Sequence, residues 1–261
     1  MLDYNHRPTF SELVTQSIDK ALEDEHKQQK PRSYLGGSRL GVECERALQY
    51  EYLNIPADQG RELKGQTLRI FAVGHVFEDL MANWLRLAGF ELYTHTSTSD
   101  QYGFSVVNGR LQGHIDGVIA NAPKHLNLKY PVNPGYPALW ECKSLKASSF
   151  KDTVKRGLAV SKPVYAGQIA LYQAYMEEQI PGISEVPALF TAINKDTAEL
   201  YFELVPFDGA LAQRASDKGV RIITASDAKE LLPRVANDRT NFKCKFCQWQ
   251  ERCWSNEVIS L

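Results

Sequence analysis

ALWECKSLK, residues 138–146, holds the problem of this chain in nine letters. Ala138, Leu139 and Trp140 read as a strand running into a core. Glu141, Cys142 and Lys143 follow without a break. In a strand, residues i and i+2 share a face, so Glu141 and Lys143 point the same way, about 6.6 Å apart for a rise of ~3.3 Å per residue. Cys142 points to the other face. A carboxylate and an ammonium beside a buried strand need partners, because unpaired charge is costly away from water. An exposed ion pair on an edge strand fits this spacing, and so does a centre that holds a cation and a phosphate.

Working outward, GHIDGVI (113–119) reads as a second strand carrying Asp116. If the two strands pair, Asp116 and Glu141 can converge on one divalent cation, and oxygen donors of this kind suit Mg²⁺ or Mn²⁺. Lys143 beside them can hold a phosphate or activate water, the combination phosphodiester cleavage needs. Downstream, QIALY (168–172) places Gln168 and Tyr172 at i and i+4 on one helix face, with Tyr165 and Tyr175 flanking it. An aromatic core stripe explains those tyrosines equally well. Upstream, RIFAVGHVFEDLM (69–81) puts His75 and Glu78 at i and i+3, a spacing also common on solvated helices. His114 shares a predicted strand face with Asp116, and packing or solvation accounts for it.

The remaining elements frame these segments. Thr9–Leu22 has helical apolar spacing at Phe10, Leu13, Val14, Ile18 and Leu22, and Thr9 with Glu12 fits a capping box. Glu23–Ser33 is charged and reads as a connection. GGSRLGVECERALQYEYL (36–53) turns helical just after Cys44. Leu63–Leu87 is strongly helical and ends at Gly89 as a C-cap. Strands follow, with a hairpin signal at Asn108–Gly109, and then a Pro- and Asn-rich connection over 121–137. A helix is expected over Pro163–Gln179, with Ser161 as its cap and Pro163 in its first turn. A hairpin turning at NKDT (194–197) comes next, then a helix over Gly209–Ala225 and a shorter one. This order predicts an α/β fold, a mixed central β-sheet flanked by helices. The expected division is 1–62 as an N-terminal helical segment, 63–207 as the core and 208–261 as C-terminal helices and tail, within one compact domain.

Composition limits the alternatives. The chain has 261 residues, 43% hydrophobic and 23% charged, with a net charge of -1. Such a profile belongs to an ordinary globular protein without a global field that attracts nucleic acid, so any such surface is local. No apolar run is long enough to span a bilayer and no secretory signal is evident, which points to a cytoplasmic location and no membrane partner.

Read in order, GHVFED, GHIDG, ECK and QIALY resemble the RecB-like branch of the PD-(D/E)xK nuclease superfamily. The resemblance implies a restriction-endonuclease-like core in which Asp116, Glu141 and Lys143 are catalytic. It implies that Gln168 and Tyr172 position DNA. Gly74 and Glu78 match the family's first-helix spacing, so Glu78 joins Asp116 and Glu141 as a metal ligand, with the backbone carbonyl of Cys142. His75 falls one turn away, as a metal, DNA or outer contact.

Of five cysteines, Cys244, Cys247 and Cys253 fall within ten residues, and Cys44 lies far upstream. In a reducing compartment such a group suggests metal more than disulfides. Four thiolates can hold zinc or an iron–sulfur cluster. One distant cysteine plus a C-terminal trio resembles the iron–sulfur staple of AddB-like and CRISPR-associated RecB-like nucleases, which implies a 4Fe-4S cluster more than zinc and a helical annex made by the two chain ends. Between ECK and QIALY the chain is basic, with Lys146, Lys151, Lys155, Arg156 and Lys162 against Asp152. Together with Tyr165 these are candidate DNA contacts. Phe246 and Trp249 in the tail are candidates to stack on bases.

The sequence thus predicts a metal-dependent deoxyribonuclease, an exonuclease on single-stranded DNA ends in recombination, repair or phage DNA processing. No P-loop motif is present, so unwinding falls to a partner such as a helicase, beside a recombinase or annealing protein. The alternatives are an endonuclease of the same fold, including the CRISPR spacer-acquisition type, and a non-catalytic DNA-binding protein.

Overall fold

The computed structural model describes residues 7–123, 126 and 136–255. The strand that poses the problem, β6 (Ala138–Leu145), is central in a five-stranded sheet. Its neighbours are β5 (Gly117–Asn121), antiparallel, and β7 (Ala188–Asn194), parallel. The edges are β2 (Glu91–Tyr93), antiparallel to β5, and β8 (Leu200–Val205), antiparallel to β7. The expected mixed sheet flanked by helices is therefore present. The edge-strand reading of Glu141 is not, since β6 is paired on both sides.

Alternation along β6 assigns its two faces. Leu139 and Leu145 join the larger core with Ile169, Phe190 and Ala192. Trp140 and Cys142 join a second core with Met81, Leu85 and Ile193. The second core lies under α3 (Gly65–Leu87), whose C-terminus closes at Ala88 with Gly89 at φ +92°, as the glycine there predicts. The first core lies under α6 (Pro163–Met176), reached from β6 through α4 (Ala147–Arg156) and α5 (Leu158–Ser161). A parallel pair needs such a crossover. Ser161 does not cap α6, whose N-cap is Lys162 without a side-chain bond. The Ser161 hydroxyl is instead committed to Thr153 Oγ1 and to the Gly157 carbonyl it donates to at 2.7 Å.

A smaller sheet holds β3 (Gly103–Val106), β4 (Leu111–His114) and the short β1 (Leu35–Gly36) in the order β1-β4-β3. The β3–β4 hairpin turns through Val107, Asn108 and Gly109, all at positive φ, as Asn-Gly predicts. The expected single strand through GHIDGVI is broken. β4 ends at His114 in the small sheet and β5 starts at Gly117 in the large one, so Ile115 and Asp116 form the passage between them. His114 and Asp116 thus do not share a strand face.

Helix α1 (Phe10–Gln28) carries the expected capping box, with Glu12 N–H on the Thr9 hydroxyl and the Glu12 carboxylate on Thr9 N–H. It runs six residues beyond the expected end at Leu22, through the charged stretch. No residue of α1 is buried, and Phe10 is 83% exposed. Polar contacts hold it to α3: Asp19 pairs with Arg69, and Glu23 accepts from Gly65 N–H at 2.9 Å. Its apolar spacing was the right signal for a helix but not for a core-facing one. Helix α2 (Glu45–Tyr52) starts just after Cys44, as expected, and packs beside α7 (Gly209–Asp227). The next helices are α8 (Phe242–Lys245) and α9 (Gln250–Trp254). Among the described residues no helix is long and apolar enough to cross a membrane.

Candidate active site

Glu141 is the centre of the site and is 0% exposed. Its Oε1 accepts from Gln168 Nε2 at 2.6 Å and from the ammonium of Lys143. Its Oε2 is buried and, among the described residues, has no hydrogen-bond partner. A buried carboxylate oxygen left in this state is costly unless something else faces it. Burial, and then Asp116, push the Glu141 carboxyl upward, against the pull of Lys143.

Asp116 is held by the end of a ladder. β5 and β6 pair as far as Gly117 and Trp140. Beyond that point the Asp116 carboxylate replaces a strand carbonyl, and its Oδ2 accepts from Cys142 N–H at 2.7 Å. Lys143 Nζ lies 3.8 Å from the same oxygen. The ammonium therefore sits between the two acids. Burial alone would lower its pKa, but Glu141 and Asp116 outweigh that and hold it raised and charged.

Glu78 reaches the group from α3. Burial, reinforced by Asp116 and Asp79 and opposed by Lys143, pushes it up to about 7. His75 lies 3.9 Å from Glu78 Oε2 but its own side chain is 81% exposed. It stands at the rim and not among the acids. Cys142 behaves as expected of its strand position. Its side chain is buried in the second core, and burial pushes its thiol up to about 12.

Gln168 and Tyr172 are both buried; Gln168 meets β6 at Glu141, and Tyr172 meets the β3–β4 hairpin. Tyr172 packs edge-on against Phe104, 5.4 Å between centroids, and the Ser38 side chain hydrogen-bonds its hydroxyl. Gly37 and Gly113 make room for it. A Cβ at Gly113 would lie 2.7 Å from the Phe104 ring and 2.8 Å from Tyr172, and one at Gly37 2.9 Å from Tyr172. Tyr172 is thus more buttress than strand guide. Ser38, Gly37 and Gly113 belong to the site's support, and sequence reading missed them. Tyr165, one turn before Gln168, presents its ring 5.5 Å from Lys143 Nζ.

Of the basic candidates, Lys146, Lys151, Lys155 and Arg156 are exposed along or just before α4, and Lys162 is half-buried before α6. Arg156 pairs with Asp152 at 3.3 Å, a weak surface ion pair. Trp249 does not offer its face to solvent. It is buried against Tyr50, and its indole N–H donates to the Ile55 carbonyl at 2.8 Å.

Cys44, Cys244, Cys247 and Cys253 line one cavity of about 630 Å³, while Cys142 lies elsewhere. Burial raises the Cys247 thiol, opposed by the backbone N–H of Trp249, and Cys44, Cys253 and Cys244 each add to the rise. Arg46, itself buried, donates to Cys253 Sγ at 3.7 Å. Tyr50 lines the same cavity, and its buried hydroxyl has no partner among the described residues. As the side chains stand, no group of three or more His, Cys, Asp or Glu among the described residues is set to hold a metal ion, here or at Glu141.

No protein-family profile and no curated protein matches the sequence. Among solved structures, the chain is similar to SSO0001 at 16% identity and a TM-score of 0.48, covering 95% of this chain and 100% of that one. It is similar to LHK-Exo, an alkaline exonuclease from Laribacter hongkongensis, at 12% identity and a TM-score of 0.47, covering 80% of this chain and 93% of that one. The complex of LHK-Exo with dAMP gives 14% identity and a TM-score of 0.48, over 82% and 93% of the two chains. At these identities and TM-scores the likenesses carry no weight for the chemistry, which rests on the residues themselves.

Proposed function

We propose that the chain is a metal-dependent deoxyribonuclease that hydrolyses phosphodiester bonds from single-stranded ends. The observation that carries this reading is the buried Glu141, with one oxygen shared by Lys143 and Gln168 and the other without a partner. A structural ion pair would satisfy both oxygens. An orphaned oxygen beside Asp116 and Glu78 is what an oxygen-ligated divalent cation would use.

The donor set fits Mg²⁺ or Mn²⁺. Glu78, Asp116 and Glu141, with the backbone carbonyl of Cys142, would hold the ion, which when bound supplies an activated water and neutralises charge on the phosphate. Lys143 is poised to hold a non-bridging phosphate oxygen and to stabilise the charge that develops on it. Gln168 fixes the Glu141 carboxylate. Tyr172, packed against Phe104 and beside Ser38, fixes α6 against the β3–β4 hairpin. The exposed lysines of α4 suit contacts to the phosphate backbone that position DNA without reading its sequence.

The four cysteines fit an iron–sulfur cluster in their chemistry. They share one cavity, a buried arginine donates to one sulfur, and an unpartnered tyrosine hydroxyl stands beside them. Cluster sulfurs commonly accept such bonds. We assign Cys44, Cys244, Cys247 and Cys253 to a 4Fe-4S cluster before zinc. Its role would be to clamp the two chain ends, 1–62 and 208–261, onto the core of 63–207.

The test is digestion of end-labelled single- and double-stranded DNA with Mg²⁺ or Mn²⁺, comparing wild type with Lys143→Ala. The reading holds if wild type degrades single strands and the variant does not. It fails if neither cuts, or if both cut alike.

A further inference from the structure

We propose that Phe242 and Phe246 form a stacking platform for single-stranded nucleic acid, an inference that rests on the nuclease reading above. The segment FKCKF (242–246) divides its side chains sharply. Cys244 turns into the protein, while Phe242 is 71% and Phe246 81% exposed. The two phenyl rings are four residues apart, and each has an ammonium beside it. Lys243 Nζ lies 5.9 Å from the Phe242 centroid and Lys245 Nζ 5.8 Å from that of Phe246. Lone exposed apolar residues are ordinary. Two rings on one short segment, each next to a cation, are the parts that bind a single strand: rings take base faces and cations follow the phosphates.

Charge on the adjoining wall favours a polyanion. Both rings border the cysteine cavity, which is lined by six Lys and Arg side chains, Arg61 and Lys64 among them, against two carboxylates, Glu43 and Glu62. This local excess stands in a chain whose net charge is -1. Lys243 is already paired with Glu43, so Lys245 is the cation better placed for a phosphate. A duplex keeps its base faces stacked on each other, so the rings select single strands.

Position connects the platform to the candidate catalytic residues. Val164 lines the cavity. The next residue, Tyr165, faces Lys143 at 5.5 Å. The cavity and the catalytic group therefore flank the same turn of α6.

The test measures binding apart from cutting. In full-length protein carrying Lys143→Ala, the affinity for a fluorescent oligodeoxythymidine is measured by anisotropy, beside that for a blunt duplex. Phe246→Ala, and then Phe242→Ala with it, should each weaken single-strand binding by about five-fold or more and leave duplex binding unchanged. Phe242→Leu with Phe246→Leu, which keeps the apolar bulk, should not restore it. Unchanged single-strand affinity, an equal loss for duplex, or rescue by leucine overturns the platform. Wild-type digestion is a separate result. Its absence would sink the nuclease reading whatever the rings bind, and unchanged affinity would sink the platform whatever the enzyme cuts.

Discussion

Gln168 Nε2 donates to Glu141 Oε1 at 2.6 Å, and through that bond helix α6 reads the central strand. Both residues are buried, so the bond is made in a medium where hydrogen bonds to charged groups are strong. Gln168→Ala should destabilise the protein by about 1.5–3 kcal/mol, the range for hydrogen bonds to charged groups. It should also lower activity, because Glu141 is no longer fixed. Chemical denaturation and single-turnover hydrolysis check the two effects; a variant that is neutral in both contradicts the role given to Gln168.

Lys143→Ala should reduce hydrolysis by about a hundred-fold or more, as for loss of a charge-stabilising donor. Its stability cost should depend on pH. Removing the ammonium leaves Glu141 buried with an uncompensated charge, a change that costs about 3–5 kcal/mol in other buried pairs. Glu141 escapes that cost by taking up a proton. The deficit should therefore shrink as pH falls, which melting curves across pH will show. For the wild type, a covalently closed single-stranded circle should survive while a linear strand is digested; cleavage of the circle would favour the endonuclease.

Glu78 gives the metal-free protein a second pH signature. Its folded pKa is raised to about 7 from an ordinary 4.5. Between these values the folded state holds a proton the unfolded state has lost, so stability should fall as pH rises from about 4.5 to about 7. Mg²⁺ binds the ionised form, so its affinity should rise across the same window and the melting temperature with it. Glu78→Gln should flatten both trends. Thermal unfolding with and without Mg²⁺ decides the matter, and an upward slope in metal-free wild type would refute the assignment.

The cysteine cavity separates two kinds of cysteine. Cys44→Ser should lower iron and acid-labile sulfide in anaerobically purified protein, whereas Cys142→Ser should leave both unchanged. Stoichiometric zinc without iron in the wild type would replace the cluster by a zinc site.

Gly113→Ala should destabilise by about 1–3 kcal/mol, the usual cost of overpacking. Its added methyl would meet the Phe104 and Tyr172 rings at 2.7 and 2.8 Å. Activity should fall further than stability explains if Tyr172 fixes α6. Circular dichroism and hydrolysis rates at matched folded fraction test this.

Much of this arrangement was legible because it is local. The Thr9–Glu12 box, the Asn108–Gly109 turn and the i, i+2 alternation of Glu141, Cys142 and Lys143 each depend on a few adjacent residues. What escaped was carried by distant partners. Nothing near Tyr172 announces Ser38, and nothing near Cys253 announces Arg46. The exposure of α1 escaped because periodicity fixes which residues share a face, and not whether another element covers it. The passage at Asp116 did leave a signal. Gly113 and Gly117 bracket it, and each is packed where a Cβ would collide, so a uniform strand was the less natural reading of GHIDG.

That passage has a mechanical consequence. β4 ends two residues before Asp116, and β4 is paired with Leu35 and Gly36 of β1. The chain from β1 leads within eight residues to Cys44. One sheet thus anchors the acid from the side of the cysteine cavity, and the other anchors it through Cys142 N–H. Asp116 is thus moored to both sheets at once, by two residues of chain to β4 and by its hydrogen bond to Cys142 N–H in β6.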